Sequence, residues 1–126
     1  MGNPYRNMAY LNLTWRFYRE VDENSTKFTV VAGASDSIKN LKEKIINQVK
    51  EIESYANIDV DDLNLKLWKV NIPNGDIDKF LDLCLQNDEN GNTEKLEESN
   101  VVSDYWESSD KDYTDVIVNS NYLVLR

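Results

Sequence analysis

The side chains of this sequence offer little of the chemistry that enzymes use. It contains no histidine and a single cysteine, Cys84, which excludes Ser–His and Cys–His nucleophile pairs, an internal disulfide bond and a cysteine zinc cluster. Acidic pairs occur at Asp61–Asp62 and Glu97–Glu98, but adjacent residues in a strand or loop need not converge on one point, as a general acid/base pair must. We therefore expect no catalytic residues and no enzymatic activity.

Metal and cofactor binding have equally little support. The stretch NDENGN at 87–92 has the composition of a calcium loop, but it lacks the regular D-x-D-x-D-G spacing and the distal glutamate of an EF-hand. Cys84 falls on the apolar side of a short predicted helix, which favours a small core residue over a nucleophile. We expect no metal and no cofactor.

Charge is spread unevenly along the chain, whose net charge is −9. Residues 1–75 carry 10 acidic and 10 basic side chains, whereas residues 76–115 carry 13 acidic and 3 basic ones. This balance argues against nucleic acid as a direct ligand, because phosphate binding needs a basic surface. The acidic part is interpreted as a solvated surface that favours solubility; the alternative is a docking face for a basic partner.

Length and hydropathy indicate one domain. The chain has 126 residues, of which 40% are hydrophobic, so a core can be buried. No apolar run approaches the roughly 18–20 residues of a membrane span, and the first residues lack the apolar segment of a signal peptide. We expect a flexible lead-in at 1–7 and a domain over 8–126, with acidic loops at 86–100 and 107–113.

Residues 8–18 alternate with the period of a half-buried strand. The apolar face of this strand comprises Leu11, Leu13, Trp15 and Phe17, and the polar face comprises Asn12, Thr14 and Arg16. A polar turn separates it from a second β-rich stretch at 27–33, so the two are expected to form an antiparallel hairpin.

A helix is predicted from Ser37, its expected N-cap, to about residue 54. Its apolar stripe comprises Ile38, Leu41, Ile45, Val49 and Ile52. Spacings of three and four along this stripe indicate that one side of the helix packs on a sheet.

The stretch LNLKLWKV at 63–70 predicts a third strand. Leu63, Leu65 and Leu67 are expected to face the core, while Lys66 and Trp68 point the other way. A turn at 72–76 and a short helix at 77–85 follow, and residues 101–106 form a short ordered piece. The β-rich residues 114–126 form one strand or two.

This order predicts an α+β fold. It is a ubiquitin-like β-grasp, in which a mixed four- to five-stranded sheet surrounds one main helix, with a short second helix.

Three local stretches resemble ubiquitin in the same order along the chain. SDSIKNLKEKI at 35–45 is similar to the start of the ubiquitin helix, VSDY at 102–105 to its L-S-D-Y turn, and LVLR at 123–126 to its last strand. The resemblance implies the ubiquitin-like fold. It does not extend to ubiquitin's recognition patch, because Lys66 stands where the outer face of the third strand carries an apolar residue. With the chain ending at Arg126 and lacking a Gly-Gly tail, we expect neither conjugation nor strong binding to ubiquitin receptors.

A second resemblance indicates a more specific biological role. LNLKLWKV followed by Ile72-Pro73 resembles the motif strand of the Crinkler effector N-terminal domain, and DVIV at 115–118 resembles the strand that closes such domains. The motif residues are Leu63, Leu65, Leu67, Trp68, Lys69 and Val70.

This resemblance implies a non-enzymatic N-terminal domain of a secreted effector from a fungus or oomycete. Its expected role is delivery into host cells, where the nucleus is a frequent destination, or protein–protein interaction. The partner is an unidentified protein, and the C-terminal effector domain of such proteins would lie outside this chain. Candidate partner contacts are Lys66, Trp68, Lys69 and Val124.

The alternative function is a ubiquitin-like adaptor or scaffold domain without an effector role, for example one that binds a Ras-like protein. Such a surface needs basic residues on the second strand, where only Lys27 is available, with Arg16 and Arg19 on the first strand. Adaptors of this kind often pair with partners by adding a strand to a sheet edge.

Overall fold

The computed structural model describes residues 10–18, 27–86 and 93–120. The strands are β1 (Tyr10–Phe17), β2 (Phe28–Gly33), β3 (Lys66–Pro73), β4 (Glu94–Lys95) and β5 (Tyr113–Asn119). The α-helices are α1 (Ile38–Lys50), α2 (Val60–Leu63) and α3 (Ile77–Leu81), and the 3₁₀ turns are Glu53–Tyr55 and Val102–Asp104. The predicted lead-in at 1–7 and the last predicted strand at 121–126 lie outside the described residues.

The described strands form one mixed sheet in the order β2-β1-β5-β3-β4. β1 pairs antiparallel with β2 and parallel with β5, and β5 pairs antiparallel with β3. A parallel pair at the centre, made by the first and fifth strands, requires a crossover, and α1 lies within that crossover. This confirms the α+β class and is consistent with a β-grasp.

Helix α1 begins where capping chemistry places it. The Ser37 hydroxyl accepts a hydrogen bond from the backbone N–H of Asn40 at 3.1 Å, so it is the N-cap that was predicted. Four members of the predicted stripe are buried: Ile38, Leu41, Ile45 and Val49. The helix ends at Lys50, earlier than expected, and the 3₁₀ turn Glu53–Tyr55 follows.

The larger core lies between α1 and one face of the sheet. It contains the predicted face of β1, namely Leu11, Leu13, Trp15 and Phe17, together with Leu67 of β3, Val116 and Val118 of β5, and Leu65, which precedes β3. Trp15 stacks on Phe28 with ring centroids 4.3 Å apart. Its indole N–H donates to Gln48 Oε1 at 2.7 Å, so a polar atom in this core is satisfied from the helix.

A second, smaller core covers the opposite face of the sheet. It consists of Val70, Ile72, Phe80 and Ile117, with Trp68 and Ile77 packed against it. Because α3 brings Phe80 over this face, β1 is buried on both sides. Thr14 and Arg16 were predicted to lie on a solvent-facing side of β1, and this prediction is wrong, since they are 6% and 3% exposed.

The third strand begins later than predicted. Leu63 belongs to α2, and β3 starts at Lys66 and continues through Pro73. Asn64 connects the two with a φ of 43°, in the left-handed region that asparagine tolerates better than most residues. The turn therefore starts at residue 74 rather than 72.

Two further predictions need correction. The short helix ends at Leu81 rather than 85, so Cys84 follows the helix and is exposed rather than buried in the core. The acidic stretch 86–100 contains the strand β4 and the buried Leu96, whose N–H donates to Leu67 O at 3.0 Å. Residues 87–92 of this stretch lie outside the described part of the chain.

The ordered piece predicted at 101–106 is confirmed as the 3₁₀ turn Val102–Asp104 and the two aromatic residues after it. The Tyr105 hydroxyl accepts hydrogen bonds from Glu97 N and Asn100 Nδ2, each at 2.9 Å. Tyr105 and Trp106 are both buried. These contacts hold the segment that follows β4 against the α1 core.

Candidate functional site

The three leucines of the motif are core residues, although only Leu67 lies in β3. Leu63, Leu65 and Leu67 are 0%, 2% and 4% exposed, and all three pack in the α1 core. Val70, the last motif residue, is buried in the smaller core on the opposite face. These four residues therefore stabilise the fold and are not available to a partner.

Trp68 faces away from the leucines, as expected from the alternation of the strand. It is half-buried and packs against the cluster that contains Phe80 and Ile117. Trp68 therefore lies beside Phe80 of α3 and is partly accessible to solvent.

The basic residues of the motif strand are more accessible. Lys66 is exposed and Lys69 is half-buried. Among the described residues, the strand is covered at its outer edge only by the two residues of β4, which pair with Trp68 and Lys69. Val124, the fourth candidate contact, lies outside the described residues, so the structure brings together three of the four candidates.

One groove lies between α1 and the start of β3; we call it the α1–β3 groove. It encloses about 460 Å³ and adjoins a hollow of about 240 Å³ with which it shares Lys42 and Glu98. The Lys42 ammonium lies 3.0 Å from the Glu98 carboxylate. The lining of the groove and hollow carries the lysines Lys39, Lys42, Lys66 and Lys95 and the carboxylates Glu43, Asp61, Glu97 and Glu98. This surface is therefore balanced in charge on an acidic protein.

A second cleft, of about 500 Å³, lies at the other end of the motif strand; we call it the Asp115 cleft. It is lined by residues 69–71, residues 105–108, Asp110, Tyr113 and Asp115. Trp106 in its wall has a buried Nε1 with no hydrogen-bond partner among the described residues. The cleft therefore combines aromatic rings, carboxylates and an unsatisfied donor.

Asp115 is a carboxylate that the fold buries. It is 5% exposed, and its Oδ2 accepts a hydrogen bond from the backbone N–H of Thr14 at 2.9 Å. Burial raises the pKa of Asp115 to about 6, an effect that the Thr14 hydrogen bond opposes and the charge of Asp110 reinforces. The side chain extends the contact between β1 and β5 beyond their last paired backbone groups.

The edge of the sheet at β2 is occupied by side chains of α1. Lys44 Nζ donates to Val31 O at 3.1 Å, and Gln48 Nε2 donates to Thr29 O at 2.9 Å. These hydrogen bonds occupy backbone carbonyl groups that would otherwise accept hydrogen bonds from a partner strand added to this edge. Arg16, one of the basic residues considered for the adaptor alternative, is buried as well, whereas Lys27 is exposed.

The same edge is fixed at its end by Asp36. The Gly33 N–H donates to Asp36 Oδ2 at 2.9 Å, and Lys44 Nζ lies 3.2 Å from the same oxygen. The hydrogen bond from Gly33, followed by the interactions with Lys44, lowers the pKa of Asp36 below its ordinary value. This shift belongs to the turn between β2 and α1 rather than to a binding site.

Of the acidic pairs considered for catalysis, Glu97 and Glu98 line the α1–β3 groove and Asp61 lines the adjoining hollow, but neither pair is buried. Asp61 and Asp62 are exposed in α2, and Glu97 and Glu98 are exposed after β4. Among the described residues, no group of three or more Asp, Glu or Cys side chains is arranged to hold a metal ion, and no helix is long and apolar enough to cross a membrane.

Sequence reasoning did not single out Asp115 or Trp106. The signal for Asp115 was present, since it is the one charged residue in an otherwise apolar β-branched run at 114–118. Trp106 carried no comparable signal, because only tertiary packing shows that its indole N–H has no acceptor among the described residues.

Comparison with known proteins identifies one family. Residues 17–119 match the family described as the Crinkler effector protein N-terminal domain. The match includes α1, the motif strand, both clefts and all of β5. No curated protein and no solved structure matches the chain at a significant level.

Proposed function

Because this chain belongs to the family of Crinkler effector protein N-terminal domains, we propose that it is a non-enzymatic domain that binds a protein partner during delivery of the effector into host cells. Family membership supports a role as the leading domain of an effector. The delivery step and the identity of the partner are parts of the proposal itself.

One observation carries the protein-binding part. The motif strand places its leucines in the core while it keeps Lys66 exposed beside the α1–β3 groove. The groove adds Lys42 and Lys95 to the same surface. Glu97 and Glu98 line the groove as well. A partner that binds the motif strand from outside would therefore contact Lys66 and the half-buried Trp68 on a surface of mixed charge.

The non-enzymatic part rests on composition. The chain has no histidine, so its one cysteine, which is exposed, has no imidazole to activate it. The one carboxyl group with a raised pKa among the described residues, Asp115, is held by a backbone N–H rather than by a second catalytic group. Binding explains such a surface more simply than turnover.

Secretion of a reporter fusion tests the delivery step. The full chain is fused to a reporter and secreted by a filamentous microbe that colonises plant tissue, and reporter signal is measured inside plant cells. We expect the fusion to enter and the reporter alone to stay outside. Equal entry of the two proteins would reject the delivery role.

Charge-reversal variants test the binding surface in the same assay and in a pull-down from plant extract. Lys66→Glu should reduce recovery of partners and entry of the reporter. Lys27→Glu, which reverses an exposed charge at the start of β2, is the matched control and should leave both unchanged. If the two variants behave alike, the surface beside Lys66 is not the binding site.

A further inference from the structure

The Asp115 cleft combines the two side-chain types that recognise a cation. Its aromatic walls are Tyr105, Trp106 and Tyr113, and its carboxylates are Glu107, Asp110 and Asp115. Lys69 is the one cation among the lining residues that the structure describes. Aromatic faces attract cations and carboxylates pair with them, so the lining favours a positively charged group.

Trp106 adds a requirement for an acceptor. The residue is 7% exposed, and its Nε1 has no hydrogen-bond partner in the part of the chain that the structure describes. A buried N–H that has lost its water and gained no acceptor is unfavourable. A ligand that brings an oxygen atom to Nε1 would remove that penalty.

Asp115 supplies a counter-charge whose burial is incompletely compensated. Its Oδ2 accepts from Thr14 N, whereas no hydrogen bond of Oδ1 is found among the described residues. Burial of this carboxyl group is the largest cause of its raised pKa. A cation in the cleft would stabilise the charged form, just as an opposite charge does in a buried ion pair.

We propose that the Asp115 cleft binds the arginine side chain of a protein partner, with the guanidinium between Asp115 and Asp110 and a peptide carbonyl on Trp106 Nε1. Arginine suits the cleft better than lysine, because its planar guanidinium pairs with carboxylates and also stacks on aromatic rings. The peptide carbonyl provides the acceptor that the indole N–H lacks.

The charge of the surrounding chain supports this assignment. Residues 76–115, which include most of the cleft, carry 13 acidic and 3 basic side chains. Such a surface attracts a basic segment before contact is made. The inference rests on the proposed protein-binding function and adds to it the chemistry of one contact, at a site distinct from the α1–β3 groove.

A titration followed by NMR tests the inference on the full chain. The three indole N–H groups, of Trp15, Trp68 and Trp106, report separately in ¹⁵N-labelled protein, and the Trp15 group is engaged by Gln48. The probe is N-acetyl-arginine amide. The neutral control is N-acetyl-citrulline amide, which has nearly the same shape without the charge.

We expect saturable shifts of the Trp106 indole signal with the arginine probe, together with the amides of residues 107–110, and no change at Trp15. Asp115→Asn should weaken this binding by at least about tenfold, the loss expected for one charged hydrogen bond. Asn can still accept from Thr14 N, so the fold should persist. Asp110→Asn, at an exposed position, is the second variant and should also weaken binding.

Asp112→Asn removes an exposed charge from the same segment without altering the lining of the cleft, and it should bind the probe like the wild type. Equal shifts with the citrulline probe, or full binding by Asp115→Asn, would overturn the proposal. So would the absence of any saturable shift at Trp106. None of these outcomes affects the Lys66 test, so failure of this inference is distinguishable from failure of the delivery role.

Discussion

The guanidinium carbon of Arg16 lies 4.9 Å from the centre of the Phe80 ring. Arg16 also donates through Nη1 to Asn74 O at 3.2 Å, so a buried cation of β1 is held by the turn before α3 and by α3 itself. These contacts cover part of the sheet face opposite α1. It also takes away the arginine that a Ras-type surface on β1 would need.

Phe80→Ala should destabilise the domain by about 3–5 kcal/mol, because it opens the smaller core and removes the ring from beside Arg16. Phe80 is 4% exposed, whereas the next residue, Leu81, is 68% exposed. Leu81→Ala is therefore the matched control and should change stability by less than about 0.5 kcal/mol. The free energy of unfolding in urea measures both. Similar values for the two variants would show that α3 does not cover the sheet.

Gln48 is expected to stabilise the domain through both ends of its amide. Gln48→Ala leaves the Trp15 indole N–H and Thr29 O without their partners at 2.7 and 2.9 Å, and it should cost about 1–3 kcal/mol. Gln48→Glu should lie between the wild type and Gln48→Ala, since a carboxylate accepts from Trp15 but cannot donate to Thr29. The free energy of unfolding in urea, measured for the wild type and both variants, gives the order of stability.

Asn47→Ala is the control for helix α1, because Asn47 is exposed on the same turn. If this variant loses as much stability as Gln48→Ala, the bridge between the indole and the β2 edge contributes nothing beyond helix propensity.

Two adjacent motif residues are expected to have different roles, Leu67 in stability and Lys66 in binding. Leu67→Ala should cost about 2–5 kcal/mol, because Leu67 lies in the α1 core. Lys66→Ala should cost less than about 0.5 kcal/mol, because Lys66 is exposed. Thermal unfolding of the two variants checks this. Loss of delivery on a leucine substitution would then report unfolding, and a stable Leu67→Ala protein would refute the core assignment.

The buried carboxyl group of Asp115 should make the domain less stable at neutral pH than in mild acid. Its pKa is raised from 3.8 to about 6 in the folded protein, so the folded state binds its proton more tightly than the unfolded state does. The contribution is fully present below about pH 4 and is lost as the pH rises through about 6.

Asp115→Asn should accordingly be more stable than the wild type at pH 7, by at most about 3 kcal/mol for a shift of this size. The difference between the two proteins should shrink as the pH falls from about 7 to about 4. Urea unfolding across that range measures it, with Asp112→Asn as the control that leaves the wild-type profile in place. Parallel profiles for wild type and Asp115→Asn would contradict the raised pKa.

Local signals were sufficient to predict the residues of α1 and β1 that face the larger core. The stripe along α1 and the alternation of β1 predicted which residues enter the larger core, and Ser37 was recognisable as the cap from its hydroxyl and position. These features depend on residues a few positions apart, so spacing alone reveals them. The family resemblance of residues 63–73 rested on the same kind of local pattern and was confirmed.

The element boundaries that were predicted wrongly depend on contacts between residues far apart in the sequence. Cys84 was placed in the core because its spacing continues that of Phe80, yet α3 stops at Leu81 and leaves it exposed. The strand β4 was missed because two residues carry no periodicity, and its place is set by pairing with Trp68 and Lys69. Neither outcome is visible in a window of neighbouring residues.

The sequence by itself determined the class of fold, the burial of the motif leucines and the absence of histidine chemistry, because each follows from composition or short spacing. Only the tertiary structure decided what lies against the second face of the sheet and what surrounds Asp115. The hydrogen bond from Thr14 to Asp115 joins residues 101 positions apart. Burial and the pKa of that carboxyl group arise from such distant contacts, and so does the cleft that we assign to an arginine side chain.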